Sequence, residues 1–316
     1  MARLLGDVGG TNARFAWQKS DGAPLRDIAT LPTADHASLA DAITAYLKTI
    51  GQPTPAWCAI GIANPITGDH VQMTNCHWAF SISAMQQALG FERLVVVNDF
   101  TALALALPDL KPTELRQLGG GAAVPGAPLA LIGPGTGLGV SGLIPGRLPG
   151  HWLPLQGEGG HVTLAASGAR EAAVLQVLRD EFGHASAERA ISGQGLEALY
   201  AALCTLDAVK DFNRLPAAAV SQHALAGDDP QCVEALDLFC AFLGNVAGNL
   251  ALTLGAVGGV YIGGGIVPRL GDAFTHSRFR ACFEDKGRFR GYLEAIPVYV
   301  IHTAVSPALL GAARAL

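Results

Sequence analysis

Short apolar runs, broken by glycine and polar positions, mark the head of the chain. RLLGDVGG (3–10), NARFAW (12–17) and LRDIATLP (25–32) predict three successive strands, the first two joined by a glycine turn. The period then lengthens: Leu39, Ile43 and Leu47 share one helical face, and Gly51 stops that helix. AWCAIGIANPITGDHVQMTN (56–75) predicts a strand, a turn at Thr67-Gly68-Asp69 and a return strand. Ser83-x-x-Gln86 reads as a capping box opening a helix that ends at Gly90. RLVVVNDF (93–100) is a buried strand rich in β-branched residues, and TALALALP (101–108) a short helix after it.

A polar segment bearing glycine and proline, 109–128, predicts a domain boundary. Beyond it PLALIGPGTGLGVSGLI (128–144) repeats the opening theme of strand, glycine turn and strand. Helical spacing then dominates, over 170–182, a segment starting near Ser186, 195–203 and 231–254. IPVYVIH (296–302) is a late strand, and SPALLGAARAL (306–316) a closing helix. The recurrence suggests two related α/β halves around a cleft.

Composition narrows the reading. The 316 residues are 50% hydrophobic and 15% charged, which suits a compact enzyme of about two domains. A net charge of −5 offers no footprint for nucleic acid or an anionic membrane. The basic stretch Arg278–Arg290 also carries Glu284 and Asp285, so it reads as a solvated helix face. Six cysteines without a C-x-x-C pair read as small hydrophobes in a reducing compartment. Asp7 interrupts any apolar signal core. From Cys240 to Val267 there is no charged residue, yet eight glycines and two asparagines make this a buried helix, a turn and a buried strand rather than a membrane span. A soluble protein is expected.

The glycine turns invite a search for phosphate loops. None of the five lysines follows a glycine, which excludes G-x-x-x-x-G-K-[ST]. Gly137-Leu138-Gly139-Val140-Ser141-Gly142 matches G-x-G-x-x-G, but a dinucleotide site needs a helix there, and Val140–Ile144 is strand-like. What remains is a pair of glycine hairpins. Gly9, Gly10, Gly135 and Gly137 bring backbone N–H groups close to anionic oxygens, and Thr11 and Thr136 add hydroxyls. Asp7 cannot neutralise phosphate, so its use is to hold hydrated Mg²⁺; the bland alternative is a turn residue bonding its own backbone.

A second constellation is acidic. Asn98-Asp99 closes a buried strand ahead of a helix, the edge where open α/β sheets hold ligands; Asp99 is there either as a base for a hydroxyl proton or as a helix cap. Glu158-Gly-Gly-His161 offers carboxylate and imidazole for sugar hydroxyls, and no cysteine or second histidine stands at zinc-ligand spacing. Glu188 follows Ser186 closely, where it would also complement a helix dipole.

GDVGGTNAR, PITGD, TNCHWAFS, NDFTALA, GTGLGV, GEGGH, SAERAISG and GGGIVPR occur in this order from residue 6 to 269, and FEDKGRF extends the series. As a set they resemble the zinc-free bacterial ATP-dependent glucokinases of the hexokinase/actin-like ATPase superfamily. The resemblance implies a two-domain actin-like (ribonuclease H-like) α/β fold. A small α/β domain of 1–110 plus 301–316 would face a larger α+β domain of 111–300 across the cleft. It implies ATP held by Gly6, Asp7, Val8, Gly9, Gly10 and Thr11 and by Gly135, Thr136 and Gly137. Mg²⁺ would be reached by Asp7 through water. Asp99 would be the base toward the glucose 6-hydroxyl, with Asn98, Glu158, His161 and Glu188 on other hydroxyls. It further implies a cytoplasmic homodimer acting first in glycolysis, without structural zinc and without nucleic-acid or membrane partners. A kinase for an acylamino sugar would share fold and base and differ only in sugar contacts. Asn64 and Pro134 depart from the usual pattern, at places expected to leave the base and sugar ligands untouched.

Overall fold

A computed structural model describes residues 1–148, 150–303 and 305–316. Along the chain run β1 (Arg3–Val8), β2 (Asn12–Gln18), β3 (Leu25–Pro32), α1 (Leu39–Thr49), β4 (Trp57–Ile62), β5 (His70–Gln72), β6 (Ala79–Ser81), α2 (Ile82–Leu89), β7 (Arg93–Asn98) and α3 (Asp99–Ala106). Then come β8 (Leu115–Gln117), β9 (Leu129–Pro134), β10 (Leu138–Pro145), β11 (Trp152–Gln156), α4 (Ala169–Phe182), α5 (Gly193–Leu206), α6 (Ala217–Ala226) and α7 (Pro230–Leu254). The chain closes with β12 (Val260–Ile262), α8 (Val267–Leu270), α9 (Asp272–Thr275), α10 (Phe279–Glu284), α11 (Arg290–Ala295), β13 (Val298–Ile301) and α12 (Pro307–Arg314). It divides into two compact units: Met1–Lys111 with Pro154–Gln156 and Thr303–Leu316, and Pro112–Leu153 with Gly157–His302.

The first unit is a five-stranded sheet, β3-β2-β1-β4-β7, in which β1 is antiparallel to β2 and parallel to β4, and β4 is parallel to β7. Central strands are buried on both faces. In β1, Leu4 and Val8 enter a core with Phe15, Ile43, Tyr46 and Trp78, while Leu5 enters another with Leu309 and Ala312 of α12. A Cβ on Gly311 would lie 1.6 Å from the Ala102 carbonyl oxygen, so glycine lets α12 lie directly on α3.

The second unit repeats this plan. Its strands run β10-β9-β12-β13-β8, with β9 antiparallel to β10 and parallel to β12, and β12 parallel to β13. Helices α4 to α7 build one large core against it. The long uncharged segment is explained by α7, which is mostly buried. Gly244 and Gly248 bring α7 against α10: Cβ atoms there would lie 2.1 and 2.5 Å from the carbonyl oxygens of Phe279 and Phe283. Such an approach needs small residues at both positions.

Four local expectations are corrected. The residues after β4 do not return beside it: β5 pairs with β6 in a separate two-stranded sheet. Ser81, not Ser83, caps α2: its Oγ accepts the Ala84 N–H, while Ser83 lies inside the helix with its amide on Asp69 Oδ1. No helix starts near Ser186; 186–192 is a turn, and α5 begins behind its own cap, Ser192. Arg278–Arg290 is not a freely solvated face. Arg278 pairs with Asp237 and Glu171, and the largely buried Arg280 donates to the carbonyls of Leu118, Leu293, Glu294 and Ile296.

Candidate active site

The first hairpin grows out of the β1–β2 register. Asp7 stands opposite Arg14 and Val8 opposite Ala13, and Gly9 N–H donates to the Asn12 carbonyl at 2.9 Å. Thr33 holds the turn's carbonyls, taking Gly10 O with its hydroxyl at 2.8 Å and Thr11 O with its amide at 2.9 Å. The Gly10 and Thr11 N–H groups carry no protein partner among the described residues, as an anion cradle requires. The glycines are not interchangeable. A Cβ on Gly10 would meet the Asn75 carbonyl oxygen at 2.6 Å, whereas one on Gly9 would meet only Asn12 O at 3.6 Å. Gly6 and Val8 lie inside buried β1: Ile60 and Phe15 occupy the space beside Gly6, and the Val8 side chain is in the core. Their glycine and valine identities are explained by packing.

Asp7 is not a turn residue bonding its own backbone. It sits in β1, and Arg14 Nη1 donates to its Oδ2 at 3.2 Å across the strand pair. Arg14 is the site residue that motif reading passed over; the signal was its place opposite the acid in a two-stranded register.

At the end of β7 the division of labour between Asn98 and Asp99 becomes clear. Asn98 caps α3, its Oδ1 accepting from Phe100 and Thr101 N–H at 2.9 and 3.2 Å. Its amide donates to Asn64 O at 3.4 Å. Asp99 is therefore not needed as the cap, although its Oδ1 also accepts from Phe100 N–H. Burial pushes the Asp99 carboxyl up from its ordinary 3.8 to about 6, the hydrogen bond from Phe100 opposes this, and the nearby Asp7 charge adds to it. Asn64 meets a sugar candidate only through its backbone carbonyl, which any residue at that position would offer. Its side-chain oxygen accepts from the Thr74 amide and hydroxyl at 3.2 and 3.0 Å. That fixes the turn whose Asn75 packs on Gly10.

The second unit gathers the remaining candidates around its own hairpin. Gly135 N–H donates to Gly137 O at 2.8 Å, closing a turn with exposed Thr136 at its tip. Glu158 and His161 are exposed and bracket a 3₁₀ turn, with the His161 amide on the Glu158 carbonyl at 3.0 Å. That turn is pressed onto β10: a Cβ on Gly160 would lie 2.1 Å from Leu138 O. Glu188 joins both parts, its amide donating to Gly160 O at 2.8 Å and its Oε2 accepting from Leu138 N–H at 2.9 Å. The glycine loop 263–265 lies alongside; Gly264 has φ +78° and leaves no room for a Cβ beside Pro134 O.

Each unit therefore presents a glycine hairpin with polar groups fixed beside it. The glucokinase family model matches residues 4–316. Glucokinases of Chromobacterium violaceum and Aromatoleum aromaticum are 56% and 57% identical, covering 98% and 99% of this chain and 88% and 94% of their own. The crystal structure of a glucokinase from an Antarctic psychrotroph is 37% identical with a TM-score of 0.89, over 99% of this chain and 98% of that one. With the duplicated sheet plan, these matches identify an actin-like ATPase fold, and the chain belongs to the glucokinase family.

Proposed function

We propose that the chain transfers the γ-phosphoryl group of ATP to the 6-hydroxyl of D-glucose with Asp99 as general base. The observation that carries this reading is the Asp99 carboxyl at the end of β7, pushed up to about 6 by burial. A base near that value is ionised at neutral pH and still accepts a proton as the O–P bond forms. Asn98 spends its side-chain oxygen on the α3 cap and one amide hydrogen on Asn64 O, so the second amide hydrogen is the part left for a sugar oxygen. Glu158, His161 and Glu188 supply further acceptors and a donor for hydroxyls.

Phosphoryl transfer is loose and mostly needs positioning and charge stabilisation. The amides of Gly10, Thr11, Thr136 and Gly137 would hold the phosphate oxygens. Asp7 fits a magnesium site reached through water: it is a single carboxylate, half-buried, beside the turn that would hold phosphate, with one oxygen on Arg14. Asp7 would hold the ion there, and the ion would supply charge neutralisation for the phosphate group. A homodimeric state, a cytoplasmic place and the opening step of glycolysis belong to the same proposal and rest on the motif resemblance.

The test is Asp99→Ala in an assay of glucose 6-phosphate formation. The expected result is a loss of kcat of at least ~10²-fold with glucose binding still measurable; near-normal turnover removes Asp99 from the base role. A panel of hexoses with the parent enzyme checks the substrate. Glucose is expected to lead, and a preference for N-acetylmannosamine would overturn the assignment.

A further inference from the structure

The Glu188 carboxylate has a use within the protein that a sugar ligand alone does not require. It lies on the 186–192 turn and is anchored at both ends of its own backbone: its amide on Gly160 O and its carbonyl under the Ser192 hydroxyl, each at 2.8 Å. Its side chain then reaches the second hairpin, where Oε2 accepts the Leu138 amide at 2.9 Å. The residue before that amide is Gly137, and a Cβ there would stand 2.4 Å from the same Oε2. So glycine at 137 serves the carboxylate as well as any phosphate. Oε1 has no protein partner among the described residues. A second tie runs in parallel: the Gly193 amide, at the start of α5, donates to Gly135 O at 2.9 Å. The hairpin is thus held at Gly135 by backbone and at Leu138 by one side chain, and only the side chain has an oxygen to spare.

We propose that Glu188 is a positioning residue for the second phosphate hairpin in addition to a sugar ligand, so that one carboxylate links the occupancy of the sugar site to the geometry of the phosphate loop. This rests on the sugar and phosphate assignments made above. A hydroxyl on Oε1 fixes the plane of the carboxylate, and with it the direction in which Oε2 meets the Leu138 amide. The two ligands would then bind more tightly together than separately, with equal effect in each direction.

The test measures binding without turnover, titrating Mg·ADP alone and glucose alone into the full chain. Glu188→Ala should weaken Mg·ADP about tenfold in the absence of any sugar, the scale of losing one hydrogen bond to a charged acceptor. Glu188→Gln, whose amide oxygen can still take the Leu138 N–H, should restore nucleotide affinity to within about twofold of the parent. Unchanged Mg·ADP affinity in Glu188→Ala overturns the positioning role and leaves the sugar assignment standing. Unchanged glucose affinity in that variant overturns the sugar assignment instead. Gly137→Ala is the reciprocal variant, and serves if Glu188→Ala does not fold. Its methyl group displaces the carboxylate, so glucose affinity should fall although the substitution lies in the phosphate loop; unchanged glucose affinity there contradicts the link.

Discussion

The two hairpins occupy the same place in two sheets of the same plan, yet they are stabilised by opposite means. In the first, the strand pair before the turn is Asp7 opposite Arg14; in the second, the matching pair is Gly133 opposite Gly139. The first hairpin carries a charge pair in its own strands, and its turn is held from outside by Thr33 and Asn75. The second is neutral in its strands and is held by a carboxylate from elsewhere, Glu188. The duplicated fold therefore supplies two amide cradles, while the acid suited to a metal and the acid suited to a proton sit in the first unit alone. The likeness is in the backbone, and the chemistry is in what each hairpin has beside it.

The comparison can be broken most directly by removing its charge. Asp7→Asn should lower kcat about 10²-fold, the scale of losing one preorganised electrostatic contact to the transferring group. The deficit should narrow as magnesium is raised; a small change in kcat would mean that the two hairpins are electrostatically alike. The next effect is on stability. Asp99 near 6 in the folded chain, against an ordinary 3.8, costs the native state about 2–3 kcal/mol once both states are ionised. Because the native value is the higher one, the cost is absent below about pH 4, builds between pH 4 and 6, and is complete above. Asp99→Asn should therefore unfold at a higher temperature than the parent at pH 7.5, with the gap closing toward pH 4 in a melting series.

Gly10→Ala should cost about 1–3 kcal/mol, because its methyl meets the Asn75 backbone. Gly9→Ala, with its nearest neighbour at 3.6 Å, should cost much less. Equal losses in denaturant melts would remove Asn75 as the outer support of the first hairpin. The smallest effect is expected from Arg14→Ala. Without the guanidinium, the Asp7 charge acts more strongly on Asp99, so the acid limb of kcat/KM should move a few tenths of a unit to higher pH. Asp7→Asn should move it the other way.

Much of this was legible in the sequence because the elements concerned are local. Short apolar runs on either side of a glycine turn specified β1–β2 and β9–β10, and a β-branched run followed by Asn-Asp specified β7 and the start of α3. Misreadings arose where a distant partner decided the outcome. Ser83 had the spacing of a cap, but Asp69 took its amide and Ser81 capped the helix. His70–Gln72 is the exception: its strand partner, Ala79–Ser81, is as near along the chain as β4, and the residue pattern does not choose between the two. In the candidate site, residue types were readable and their contacts were not. Nothing near Glu188 in sequence announces Leu138, nor does anything near Asn64 announce Asn98.

The most direct test of the account is the pH profile of kcat/KM for glucose at saturating Mg·ATP, which reports ionisations of the enzyme before glucose binds. The account predicts an acid limb falling with a slope of one proton and a midpoint near pH 6, where the Asp99 carboxyl titrates. A profile flat from pH 7.5 down to 4.5, with the chain still folded, would contradict Asp99 as the base.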